Sequence, residues 1–183
     1  INLTLIIKQQ SLPKAPEKML FLGWNHQGTT IINELDHYVA AGTTICVVAD
    51  NPGIEAELLE HCSKLERITY TFKKAETTDK ASLLKLHCEQ YQHIIILSYS
   101  DSLNSQEADA RTIFTLLHLR EIADKHKHPF TIVTQMLDVQ NRELVSLTRV
   151  DDFVISDKLN SLMLSQVSEQ KHLAKVYEDL FKS

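Results

Sequence analysis

The chain has 183 residues, with 19 basic against 24 acidic side chains and a formal net charge of −5. That length suffices for one domain with a full core. The charge balance excludes a general nucleic-acid binder, which needs a basic stripe to displace counterions, and no run reaches the roughly 20 apolar residues of a membrane span.

Residues 1–10 carry Leu3, Leu5, Ile6 and Ile7 and read as a short strand or an extended arm. Pro13 and Pro16 make the next stretch a linker, because proline fixes its own φ and restricts the residue before it. The domain proper begins near Lys18, and Met19 to Leu22 is the first strand. The first helix runs from about Gly28 to Ala40, with Ile31, Ile32, Leu35, Tyr38 and Val39 at helical spacing. Gly42 ends it, in a position suited to a left-handed cap. Thr44 to Ala49 is a β-branched apolar run that suits a parallel strand buried on both faces. Asp50-Asn51-Pro52-Gly53 breaks it, and a second helix follows around Glu55 to Ser63.

Arg67 to Phe72 alternates as a third strand, and Ala81 to Glu89 is a short helix. His93 to Leu97 is a fourth strand, with Ser98-Tyr99-Ser100-Asp101 as its exit. A long helix spans Asn104 to Lys127, a fifth strand Thr131 to Thr134, and a helix lies around Val139 to Leu147. Phe153 to Ile155 is a short sixth strand, and Ser156 to Phe181 is helical. Each connection is long enough for a crossover helix, so the strands pair in parallel through right-handed βαβ units. The expected fold is α/β: a doubly wound, mainly parallel, six-stranded Rossmann-like sheet of order 3-2-1-4-5-6, with helices on both faces and a helical C-terminal tail. The expected divisions are an arm and linker over 1–17, the domain over 18–157 and the tail over 158–183.

In such a sheet the ligand crevice lies where the strand order reverses, at the carboxyl ends of strands one and four. The turn there is Gly23-Trp24-Asn25-His26-Gln27-Gly28, with glycines at the first and third positions of a G-x-G-x-x-G fingerprint. The candidate binding residues are Gly23, Trp24, Asn25, Gly28, Thr29, Asp50, Ser98 and Tyr99. The amides of Gly28, Thr29 and Thr30 open a helix, where free N–H groups and the helix dipole favour an anion. Asp50 ends strand two, where a carboxylate takes the hydroxyls of a ribose. NAD, NADP or another nucleotide is therefore one candidate ligand. Asn25 counts against it, because the middle glycine normally lets a diphosphate approach the backbone. Asn25 tolerates positive φ better than most residues, so the turn itself survives. Trp24 either stacks on a base, anchors an interface or packs its own loop.

Other patterns carry less. Cys46, Cys62 and Cys88 are scattered without a C-x-x-C, which suits a reducing setting and suggests neither a zinc knuckle nor a redox pair. His126-x-His128 flanks Pro129 with no carboxylate at ligand spacing and reads as a solvated helix end. Acidic residues are numerous, but no D-x-D-x-D-G loop exists, so calcium would need a site assembled from several loops. Ser98, Tyr99 and Ser100 have no base beside them and no G-x-S-x-G elbow, so no constellation demands catalysis. The long helix bears Ile113, Leu116, Leu117, Leu119, Ile122 and Ala123, a stripe broader than one sheet-facing side needs. A partner subunit, a neighbouring domain or the tail itself would cover it.

Several strings are more specific than the glycine pattern. Phe21 to Asn25, Glu34 to Ala40, Tyr99-Ser100-Asp101, Ala108 to Thr112, Met136 to Arg142 and Asp151 to Asp157 resemble the cytoplasmic region of the Castor/Pollux family of ion channels, in particular its bacterial relatives. The resemblance covers roughly Met19 to Phe181. It implies a non-catalytic ligand- or ion-sensing and assembly unit of a cation channel, related to the domains that regulate potassium conductance. Such units assemble with copies of themselves or sister units into a gating ring below a membrane pore, on the cytoplasmic face. The start at Ile1 rather than methionine fits a soluble piece of a longer chain. The alternatives are an NAD(P)-dependent oxidoreductase and a purely structural assembly module with an empty crevice.

Overall fold

The computed structural model describes residues 15–125, 130–141, 152–155 and 165. The expected N-terminal arm, most of the helix around Val139 to Leu147 and nearly all of the tail lie outside these residues, as do His126 and His128.

The strands are β1 (Lys18–Leu22), β2 (Thr43–Ala49), β3 (Ile68–Lys74), β4 (His93–Ile96), β5 (Thr131–Met136) and β6 (Asp152–Ile155). They form one six-stranded sheet in the order β3-β2-β1-β4-β5-β6, as the alternating pattern predicted. All five pairings are parallel, and β1 sits at the centre, with Leu20 opposite Cys46 on one side and Ile94 on the other. The helices are α1 (Gly28–Tyr38), α2 (Gly53–His61), α3 (Lys80–Lys85) and α4 (Ser105–Asp124).

Alternation along the strands splits the core in two. Leu20, Leu22, Val48, Ile94 and Ile96 pack with Leu83 of α3 and Leu116, Leu119 and Ile122 of α4. Met19, Phe21, Ile45 and Val47 pack with Ile32 of α1 and Ile54 and Leu58 of α2. Every large side chain at the centre of β1 is buried, and each such burial stabilises by about 1.5–3 kcal/mol.

Two helix ends and the burial along α4 differ from the sequence reading. Helix α1 ends earlier, with Val39 already extended, so Gly42 is not its cap. Gly42, at φ +92°, belongs to the turn into β2, where its amide donates to the Arg67 carbonyl. Helix α3 stops at Lys85, and His87 adopts a left-handed φ of 52° before a 3₁₀ turn over Cys88–Gln90. Along α4 the predicted stripe is buried at Leu116, Leu119, Ile122 and Ala123, but Leu117 and Phe114 are exposed.

One buried carboxylate ties the edge of the sheet to α1. Asp36 accepts from the backbone amides of Glu66, Arg67 and Ile68 at 2.8–2.9 Å. Burial alone would raise its pKa, but the three amides outweigh burial and hold it below the ordinary value. A depressed folded pKa contributes stability that is present above the unfolded pKa and lost as pH falls through the folded one. Asp36→Asn is therefore expected to cost about 1–3 kcal/mol near neutral pH. It should also flatten the acid limb of the stability curve, measured by urea melts between pH 3 and 7. An unchanged acid limb would assign the acid sensitivity to other carboxylates.

Candidate functional site

The carboxyl ends of β1, β2 and β4 frame a crevice of about 870 Å³, placed where the strand order reverses. Of the eight predicted site residues, Trp24, Asn25, Asp50 and Tyr99 line it. Gly23, Gly28, Thr29 and Ser98 lie behind that lining, in the buried floor of the turn.

The turn is held by its own side chains. Asn25 is buried, and its Nδ2 donates to the Ser98 carbonyl at 2.7 Å and to Gln135 Oε1 at 2.8 Å. Its Oδ1 accepts from the Gln27 amide at 3.0 Å, and its carbonyl accepts from the Gly28 amide at 2.9 Å. Gln135 also accepts from the Ser98 amide and donates from Nε2 to Gln27 Oε1. A chain of carboxamides thus closes the gap between β1, β4 and β5. Among the described residues His87 is the one non-glycine with positive φ, so Asn25 does not use the conformational tolerance expected of it. It serves here as a four-way hydrogen-bonding group.

The entry to the helix is partly committed. The Gly28 amide, expected to be available to an anion, is taken by Asn25. The His26 amide donates to Asp101 Oδ2 at 2.6 Å, and His26 Nδ1 lies 2.7 Å from Asp101 Oδ1. Burial tends to raise the Asp101 pKa, but the His26 side chain and amide prevail and lower it, so a carboxylate already stands on the turn. The Trp24 indole covers Gly28: a Cβ there would meet the ring carbons at 2.7–2.8 Å. Its Nε1 donates to Glu57 Oε2 at 2.9 Å, fixing the ring between α1 and α2.

Gly28→Ala is expected to displace the indole and cost about 1–3 kcal/mol. Because the chain has a single tryptophan, the displacement is read directly as a red shift of emission. Unchanged emission would show that Trp24 does not rest on Gly28.

Arg111, from the second turn of α4, completes the crevice. Its Nη1 donates to Asp50 Oδ2 at 3.1 Å and its Nη2 to Glu76 Oε2 at 2.7 Å. The guanidinium carbon lies 4.6 Å from the centre of the Tyr99 ring. Burial, the largest influence, would lower the Arg111 pKa, but the two carboxylates raise it above its ordinary value. Burial pushes the Tyr99 phenol up to about 12, so it stays neutral, its oxygen 3.0 Å from Thr77 Oγ1. Asp50, predicted to meet a ribose, therefore holds a side chain of the same protein.

Sequence reading missed Arg111, Glu57, Glu76 and Gln135 as parts of this site. For Arg111 a signal exists. It lies three residues after buried Ala108 and four before buried Thr115, so a cation sits on the sheet-facing side of α4. A cation there requires a counter-charge at the strand ends. Among the described residues no group of three or more His, Cys, Asp or Glu is placed to hold a metal ion.

Solved structures share this architecture. The human SLO3 gating ring matches with TM-score 0.60 at 15% identity, over 82% of this chain and 26% of that one. The NAD(P)-binding domain of an exopolyphosphatase-related protein from Archaeoglobus fulgidus matches with TM-score 0.58 at 15% identity, over 84% and 99%. The GsuK channel bound to NAD matches with TM-score 0.54 at 18% identity, over 80% and 24%. At these identities the likeness is one of fold, and the class is the Rossmann-like unit found both in channel gating rings and in NAD(P)-binding domains.

In sequence the chain is similar to a segment of the Castor/Pollux ion channels. It is 28% identical to the probable ion channel CASTOR of Oryza sativa subsp. japonica, over 93% of this chain and 23% of that protein. It is 28% identical to the probable ion channel POLLUX of Arabidopsis thaliana, over 95% and 25%. The chain thus spans about a quarter of the curated relatives it matches. No family model matches it. Among the described residues no helix is long and apolar enough to cross a membrane.

Proposed function

We propose that this chain is a non-catalytic regulatory and assembly unit of a Castor/Pollux-type cation channel. In this reading it lies on the cytoplasmic face, associates with copies of itself or sister units in a ring, and is joined to a pore elsewhere in a longer polypeptide. The observation that carries the reading is a crevice whose wall groups are paired with one another, in a chain similar in sequence to ion channels. Catalysis is disfavoured on the same ground. The phenol of Tyr99 is neutral and hydrogen-bonded to Thr77, which leaves it a weak nucleophile.

A dinucleotide in its usual pose has no place in this account. Its diphosphate would need the Gly28 amide, which Asn25 holds, and the space beside Gly28, which the Trp24 indole fills. The unit instead transmits a state. The carboxamide chain joins the exits of β1, β4 and β5, and Arg111 joins those of β2 and β3. A contact that favours one arrangement of these exits biases the ring, and only such differential affinity moves a pore.

The test is single-channel recording of the parent polypeptide in planar bilayers, with and without Asn25→Ala. The expected result is a changed open probability at unchanged unitary conductance. Unchanged gating in a channel shown to contain the folded variant would remove the reading.

A further inference from the structure

The Arg111 guanidinium sits where the fold usually offers a carboxylate to a ribose. Asp50 ends β2 at the switch point, the position from which an acidic side chain takes ribose hydroxyls. Here its Oδ2 accepts from Arg111 Nη1, while Glu76 holds Nη2 and Tyr99 supports the plane of the group. The three charged side chains are only partly covered, Arg111 at 27% and both carboxylates at 39% exposure, so the clamp lies at the wall of an open crevice. A space of about 870 Å³ is within the usual range for small-molecule sites. That volume admits a nucleoside.

We propose that Arg111 is the specificity-determining residue of this crevice, a tethered cation that pairs with Asp50 Oδ2 and so competes with the hydroxyls of a ribonucleoside. The inference rests on the wall groups being paired with one another, but it assigns the competition to one group. Asn25, Asp101 and Trp24 bar a diphosphate, whereas Arg111 competes with the sugar. Removing Arg111 leaves the Asp50 carboxylate with accepting capacity beside Tyr99 and open space. A vicinal diol satisfies such a carboxylate with two charge-assisted hydrogen bonds. The entering ligand class is therefore a neutral ribonucleoside, and adding phosphates brings no further gain.

The experiment compares adenosine, ADP and 2′,3′-dideoxyadenosine on the 183-residue chain and its Arg111→Gln variant, by calorimetry and by emission of the single tryptophan. Arg111→Gln is expected to bind adenosine about tenfold or more tightly than the unaltered chain, the ratio that recovered charge-assisted hydrogen bonds supply. ADP should gain no more than adenosine, and dideoxyadenosine should gain nothing. Adding Asp50→Asn should abolish the gain. If Arg111→Gln does not melt cooperatively, Arg111→Lys is read instead. Its single ammonium cannot span both carboxylates, so a smaller gain of the same sign is expected. Equal adenosine affinity with and without Arg111 overturns the proposal, as does a gain that survives loss of Asp50 or of the ribose hydroxyls. A changed affinity with unchanged channel gating would leave this inference standing and remove the channel reading; the reverse pattern would do the opposite.

Discussion

Asn25→Gly completes the three-glycine pattern of a dinucleotide turn, and it is expected to weaken the protein without conferring dinucleotide binding. The carboxamide it removes is 1% exposed and makes hydrogen bonds to Ser98, Gln135 and Gln27. Its loss leaves the Ser98 carbonyl and the Gln27 amide without this partner, each costing about 1–3 kcal/mol if water cannot reach it. A glycine in place of a fixed residue adds about 0.5–1 kcal/mol of backbone entropy. The sum is about 2.5–7 kcal/mol, or a fall in Tm of roughly 5–28 °C for a domain of this size. Binding does not follow, because Asp101 still occupies the His26 amide and the indole still covers Gly28. Differential scanning calorimetry with and without NAD checks both halves. A variant of unchanged Tm would show that the carboxamide chain contributes nothing, and NAD-dependent stabilisation would show that Asn25 alone bars the cofactor.

Gly23→Ala is expected to be more severe. Gly23 has φ +79°, and a Cβ on it would collide with the Leu97 carbonyl oxygen and press on the Tyr99 ring at 3.1 Å. The collision is with backbone in the adjoining chain of β4, which cannot move without breaking the pairing of β1 with β4. Left-handed strain contributes about 1–2 kcal/mol and overpacking about 1–3 or more. Because the collision is with backbone, the upper end of that sum applies, about 5 kcal/mol or more, as large as the whole stability of a marginal domain. Gly42→Ala is the control. It shares the positive φ of +92° but faces only the Pro16 ring at 3.5 Å, so it should lose the strain alone. Equal losses at the two sites, by urea melts, would contradict the close approach at Gly23.

These two residues also mark what a sequence discloses. The sheet was readable because Thr44 to Ala49 and His93 to Ile96 are apolar runs that only a strand buried on both faces accommodates. Gly23 and Gly28 were readable as a tight turn followed by a helix, and the structure gives each a steric reason. Helix ends were less so: His87 in a left-handed conformation, where glycine is usual, ended α3 without a local signal. Of the crevice, Trp24, Asn25, Asp50 and Tyr99 were readable from the strand ends, but the partners of these side chains were not. Arg111 meets Asp50 across 61 residues, and Asn25 meets Gln135 across 110. Periodicity reports neighbours along an element, not pairs that the fold brings together, so a turn that resembled a cofactor cradle concealed the side chains that pair within it.

The most direct test of that pairing is a crystal structure of the chain grown with millimolar ADP. The expected density places Arg111 between Asp50 and Glu76, Asp101 on the His26 amide and the Trp24 indole over Gly28. A diphosphate on the first turn of α1, with Arg111 swung away from Asp50, would contradict the account.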